Sequence, residues 1–226
     1  MTTAGPGRPR LTKPRRPGPT AQAEILDAAA ELFTTKGFAS TSTRQIAEVV
    51  GMRQASLYHH FATKDDILAA LLRKTVSAPL ELATRLTERT EPAAVRLSAL
   101  ILFDSGQLVS GRWNLGALYL LPELRTERFA HFRRERQLLR ERYSTLARAV
   151  LTQLGSSETA CAGLPFRIVE TVINDRSDGE GGEPVDLGPE APQLLADAGL
   201  RVLGWTDVES LRSPAGMLLD DVAAEA

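Results

Sequence analysis

Apolar residues in this 226-residue chain recur at three- and four-residue steps almost throughout, and no stretch alternates polar and apolar long enough to make a half-buried strand. That pattern leaves an all-α fold. Ile25, Ala28, Ala29, Leu32 and Phe33 form the first stripe, with Thr20 placed to cap its helix and Gly37 to end it after about Lys36. Ser42 with Gln45 spells a capping box for a short second helix, which draws its inner face from Ile46, Ala47, Val49 and Val50 and breaks at Gly51. A third short helix covers about 53–60. Thr63 with Asp66 opens a fourth, carrying Ile67, Leu68, Leu71 and Leu72, which Pro79 is expected to limit. Segments 80–88, 93–109, 112–121, 122–154, 158–175 and 190–205 also read as helices. Pro92 and Pro122 suit first turns, whereas Pro165 is expected to kink or split its segment. Residues 178–188 read as a loop, and the stretch from Asp207 as a weak helix around 217–222 or a frayed tail.

Charge divides the chain. Up to Ala78 there are eleven basic and six acidic residues, while the rest carries a net −6, so an anionic partner is expected for the front alone. Residues 1–19 hold five basic residues, five prolines and no acid, a composition that cannot bury a core and reads as a disordered basic arm. It serves either as a solubilising tail or as an arm that follows phosphates or enters a minor groove. A single cysteine, Cys161, excludes an intrachain disulfide and fits a reducing cytoplasm. No uninterrupted apolar run reaches the length of a membrane span.

Residues 43–61, TRQIAEVVGMRQASLYHHF, carry the most specific signal. A helix-turn-helix needs a small residue where its helices touch, a residue tolerant of positive φ in the turn, and apolar residues facing inward on both sides. Ala47, Gly51, and Ile46, Val50, Met52 and Leu57 meet those demands at the right offsets. With the first-helix run ILDAAAELFTTKGF, and SLYHHF followed by Lys64, residues 21–72 resemble the TetR family of transcriptional regulators. The resemblance implies an N-terminal three-helix helix-turn-helix DNA-binding domain over 20–74, and a C-terminal helical ligand-binding and dimerisation domain over 75–206, followed by a tail over 207–226. It further implies a homodimer that represses from a palindromic double-stranded operator and is released by a small effector.

Roles follow for individual residues. Thr43 and Arg44, opening one helix, can meet phosphates through a hydroxyl, a guanidinium and backbone N–H groups. Arg53, Gln54 and Ser56 project from the start of the recognition helix, where Gln can pair with adenine and Arg with guanine. Tyr58, His59 and Lys64 resemble the family's phosphate contacts. No cap residue stands at Arg53, where the family often has Ser or Thr. His59 and His60 point about 100° apart on a helix, and Asp65 and Asp66 suit a helix N-terminus, so no metal is expected. Neither a catalytic centre nor a cofactor is indicated, and Cys161 has no recognisable activating neighbour. The run Arg133, Arg134, Arg136, Arg140 and Arg142, interleaved with Glu135 and Glu141, reads as a solvated helix face.

In the second domain Phe103, Gln107, Trp113, Asn114, Tyr119, Phe129, His131 and Phe132 are candidates to line a cavity for a small apolar or aromatic effector. Phe166, Val169, Val172, Ile173, Leu194, Leu195, Leu200 and Leu203 are candidates for a four-helix dimer surface implied by the resemblance. The alternative is a regulator without a small-molecule ligand, controlled by protein contact or abundance. A structure without a cavity above about 300 Å³ favours that alternative.

Overall fold

A computed structural model describes residues 16–178 and 185–225. The chain divides into two compact units, Met1–Ile67 and Leu68–Ala226. Of the basic arm, residues 1–15 lie outside the described residues. Arg16 belongs to the folded part instead, because its guanidinium pairs with Asp27 at 3.0 Å and with Glu31.

In the first unit α1 (Ala21–Thr35) is capped by the Thr20 hydroxyl, which accepts from the Ala23 N–H at 3.1 Å. Helix α2 (Thr43–Val50) starts with the full Ser42–Gln45 capping box. It ends at Gly51, whose φ of 76° lies in the left-handed region that a side chain disfavours. Helix α3 (Gln54–Tyr58) follows, with Arg53 at its N-cap making no capping bond. Ile25, Leu32, Phe33, Phe38, Ile46, Ala47, Val50, Leu57 and Phe61 are buried, and Phe33 meets Phe38 edge-on at 4.9 Å. Each large apolar side chain buried in this way contributes roughly 1.5–3 kcal/mol, enough to fix two helices too short to stand alone.

Helix α4 (Lys64–Glu88) crosses the boundary between the units in sequence, and it corrects one expectation, since it runs unbroken through Pro79. A proline at 79 cannot donate to the carbonyl of Thr75. The Gln107 side chain does so instead, at 3.1 Å. The helix keeps its course because a distant amide supplies the missing donor.

The second unit is organised around α5 (Ala93–Ser110), which packs against α6 (Ala130–Gln153), α7 (Leu164–Asp175), α8 (Ala191–Arg201) and α9 (Glu209–Ala224). Among the described helices α5 alone is long and apolar enough to cross a membrane, and more than half of it is buried within the unit. Gly199 lets α8 approach closely, for a Cβ there would stand 2.6 Å from the Ile101 Cδ1.

Other expectations change in detail. Residues 112–121 supply only a 3-10 turn, Leu115–Leu120, and two more turns, Pro122–Arg125 and Glu127–Phe129, precede α6. Pro165 lies in the first turn of α7, where its missing N–H costs nothing. The supposed tail is the full helix α9, which buries Leu211, Ala215, Leu218 and Val222. Arg85 donates to the Val222 carbonyl at 3.0 Å and Arg89 pairs with Glu225 at 2.8 Å, fixing its end.

Candidate functional site

Helix α3 is five residues long and buries one of them, Leu57. Arg53, Ala55, Ser56, Tyr58, His59 and His60 are exposed and Gln54 is half-buried. Among the described residues none covers this face, which leaves it open to a partner. Thr43, at the start of α2, is brought to the same place. Its hydroxyl lies 3.1 Å from the Tyr58 hydroxyl, and the Gln54 amide donates to both, at 3.0 and 3.2 Å. Two helices distant in sequence thus present one polar cluster. Its hydroxyls suit phosphate oxygens, while the Gln54 carbonyl oxygen remains an acceptor.

Arg44 is exposed and pairs with Glu48 at 2.9 Å, a surface interaction worth ~0.3–0.5 kcal/mol that an anion could displace. Lys64 is more constrained. Its ammonium donates to the carbonyls of Phe38 and Thr41 at 2.7 and 2.8 Å and lies 4.2 Å from the Phe38 ring centroid. Two of its three donors brace the loop leading into α2, so one remains for a phosphate. The sequence pattern gave no hint of that brace, because the Phe38 and Thr41 carbonyls belong to no motif. Ser56 and His59 stay on the open face. Among the described residues no group of three His, Cys, Asp or Glu side chains converges as a metal site would require.

The second unit scatters the eight candidate effector residues. Phe103 and His131 are exposed, with His131 3.3 Å from Glu135, and Phe129 is buried in the core. Gln107, Trp113 and Asn114 line a cavity of about 100 Å³. The two amides are engaged within the chain. Gln107 serves Thr75 and Asp104, and Asn114 donates to the Ile173 carbonyl at 2.8 Å and the Ser177 hydroxyl at 2.9 Å. Tyr119 and Phe132 line a different cavity, a groove of about 320 Å³.

At the centre of this unit is a buried polar network that periodicity did not single out. The Tyr143 hydroxyl donates to Asp104 at 2.9 Å, and the Tyr119 hydroxyl donates to Thr75 at 2.6 Å. Arg136 pairs with Glu170, its guanidinium 5.0 Å from the Tyr119 ring centroid. Burial pushes the Asp104 carboxyl from 3.8 up to about 6, against the hydrogen bonds from Tyr143 and Gln107, and the nearby Glu170 charge adds to the rise. Burial likewise raises the Tyr143 hydroxyl well above its ordinary value. A sequence signal did exist, since Asp104 is the lone acid in the apolar run of α5.

The candidate dimer residues need correction. Phe166, Val169, Val172, Ile173, Leu200 and Leu203 are buried within the single chain and form part of its core. Leu194 is 64% exposed and Leu195 half-buried. Together with Ala191, Ala198 and Val202 they make a second apolar stripe on α8, opposite the face packed on α5.

Comparison with known proteins bears on the family and the fold. The sequence profile described as "Bacterial regulatory proteins, tetR family" matches residues 25–71. The crystal structure of Mycobacterium smegmatis AmtR is similar with a TM-score of 0.86 at 57% identity, covering 92% of this chain and 98% of that one. The HTH-type transcriptional repressor KstR2 of Mycobacterium tuberculosis is 44% identical over 50 residues, 22% of this chain and 25% of the repressor. The match therefore spans about a quarter of that curated relative. The fatty acid metabolism regulator protein of Bacillus subtilis is 26% identical over 150 residues, 66% of this chain and 76% of the relative.

Proposed function

Since the chain belongs to the tetR family of bacterial regulatory proteins, we propose that it is a cytoplasmic transcriptional repressor that binds a palindromic operator as a homodimer and releases it on binding a small effector. The observation that carries the reading is the outward face of α3, exposed around Ser56, Tyr58 and His59 while Leu57 anchors the helix from below. That is the disposition a recognition helix needs to enter a major groove.

Within this reading Thr43, Arg44, Tyr58 and His59 contact phosphates, with one Lys64 donor beside them. Arg53, Gln54 and Ser56 face base edges. Dimerisation uses the open stripe of α8, with Leu194 and Leu195 retained from the sequence-based set and Ala191, Ala198 and Val202 added. Two reading heads one helical turn apart, about 34 Å, then address a two-fold site. An effector shifts the population towards a spacing that no longer fits.

Two cavities of the second unit measure only about 20 and 100 Å³. Two open grooves, however, reach about 320 and 480 Å³, above the roughly 300 Å³ below which control by protein contact or abundance would be favoured, so the effector reading stands first. Selection of bound sequences from random DNA by the purified protein tests the function itself. A palindromic consensus is expected, and no enrichment at any salt concentration would remove the reading.

A further inference from the structure

The turns Leu115–Leu120 and Pro122–Arg125, together with the first half of α6, enclose the half-open groove of about 320 Å³. Its floor is apolar, made by Leu121, Leu124, Phe132 and the ring of Tyr119. The cations in its wall are Arg125, Arg133 and Arg136, and no carboxylate lines it. Three guanidinium groups over an apolar floor make an uncommon wall for a mere surface depression.

Two of these arginines are held in place. Arg133 donates through Nη1 to the carbonyls of Leu124 and Thr126, leaving the rest of its fork unassigned. Arg136 is oriented by Glu170 through Nη2 and by the Tyr119 ring. Arg125 is exposed at the rim.

We infer that this groove binds a small amphipathic carboxylate, its head on Arg136 and Arg125 and its apolar body along Leu121, Leu124 and Phe132. The volume is just above the roughly 300 Å³ at which ordinary ligand sites begin, so the body is short. The assignment rests on the effector-controlled reading above and replaces its purely apolar or aromatic ligand by a charged one.

The test is calorimetric titration of the full-length protein with octanoate, against octylamine, octan-1-ol and inorganic phosphate, with operator affinity measured in parallel. Octanoate alone is expected to bind. Arg136→Gln and Arg125→Glu should each weaken it about tenfold or more, while Arg140→Gln, an exposed α6 position outside the groove, leaves it unchanged. Arg125→Glu alters only a rim residue, so a loss there cannot be ascribed to misfolding. Octylamine or phosphate binding as tightly as octanoate, or octanoate binding indifferent to both variants, overturns the assignment. If octanoate binds without changing operator affinity, the groove stands and effector control falls. If octanoate fails to bind while the operator is held normally, the groove falls and the DNA-binding reading stands.

Discussion

Asp104 is the residue whose chemistry most sets the second unit apart. Its carboxyl titrates near 6 rather than 3.8 because burial disfavours the charge, and the folded state therefore prefers the protonated form. The stabilisation this provides is complete below the unfolded value and is lost as pH rises through about 6. From 3.8 to about 6, at ~1.4 kcal/mol per pH unit, the ionised carboxylate costs the fold about 3 kcal/mol at neutral pH. Chemical denaturation of Asp104→Asn and the parent should accordingly diverge as pH rises from about 4 to 7, and parallel curves would contradict a buried titration. Lys64 invites a second measurement. As a brace with one spare donor, Lys64→Met should lower both thermal stability and operator affinity. The salt slope of binding should fall by no more than about one per site. A variant with unchanged melting would show that the loop does not depend on the ammonium. Gln54 offers a third, since its amide is tied to Thr43 and Tyr58 in the free chain. Gln54→Ala should both relax base preference and weaken phosphate contact, whereas a pure base reader would do only the former.

Among the elements, the helices with explicit punctuation were legible in the sequence. Thr20, the Ser42–Gln45 box, Gly51 and the Thr63–Asp66 pair each bound a helix as expected, because a cap is a local bond between neighbours. The misjudged elements depend on distant partners. Pro79 looked like a stop because its replacement donor, Gln107, is 28 positions away. The helix α9 looked frayed because its stripe of Leu211, Ala215, Leu218 and Val222 is interrupted by Pro214 and gains its worth from packing on distant elements, α5 above all. Residues 112–129 matched helical spacing, yet close as 3-10 turns. The proline repair can be tested as a thermodynamic cycle. Gln107→Leu should destabilise by about 1–3 kcal/mol by orphaning the Thr75 carbonyl. Pro79→Ala should recover part of that loss by restoring the helix's own donor. Additive effects would mean that the two residues act separately.

At the scale of the whole molecule, the exposed face of α3 was readable because its residues sit close together in sequence, and the polar interior of the second unit was not. The Arg136–Glu170 and Tyr143–Asp104 pairs join residues 34 and 39 positions apart, which no periodicity reveals. Six of the eight dimer candidates are buried within the single chain for a related reason. Apolar spacing identifies a buried stripe but not whether it is buried by its own chain or by a second copy. With Val169, Val172 and Leu200 in the core, the candidates left at the surface are Leu194 and Leu195, on the α8 stripe. Leu194→Glu should shift the protein towards monomer in analytical ultracentrifugation and weaken operator binding steeply, without lowering helicity. A variant that remains dimeric would move the interface elsewhere.

The bond from Gln107 to the Thr75 carbonyl also has a bearing on ancestry. A lineage that trades away the proline at 79 is released from keeping an amide at 107, and one that loses the amide first carries a liability until the ring follows. Across descendants of this chain the two sites should drift as a linked pair, with the intermediate lacking only the amide the rarest of the four combinations.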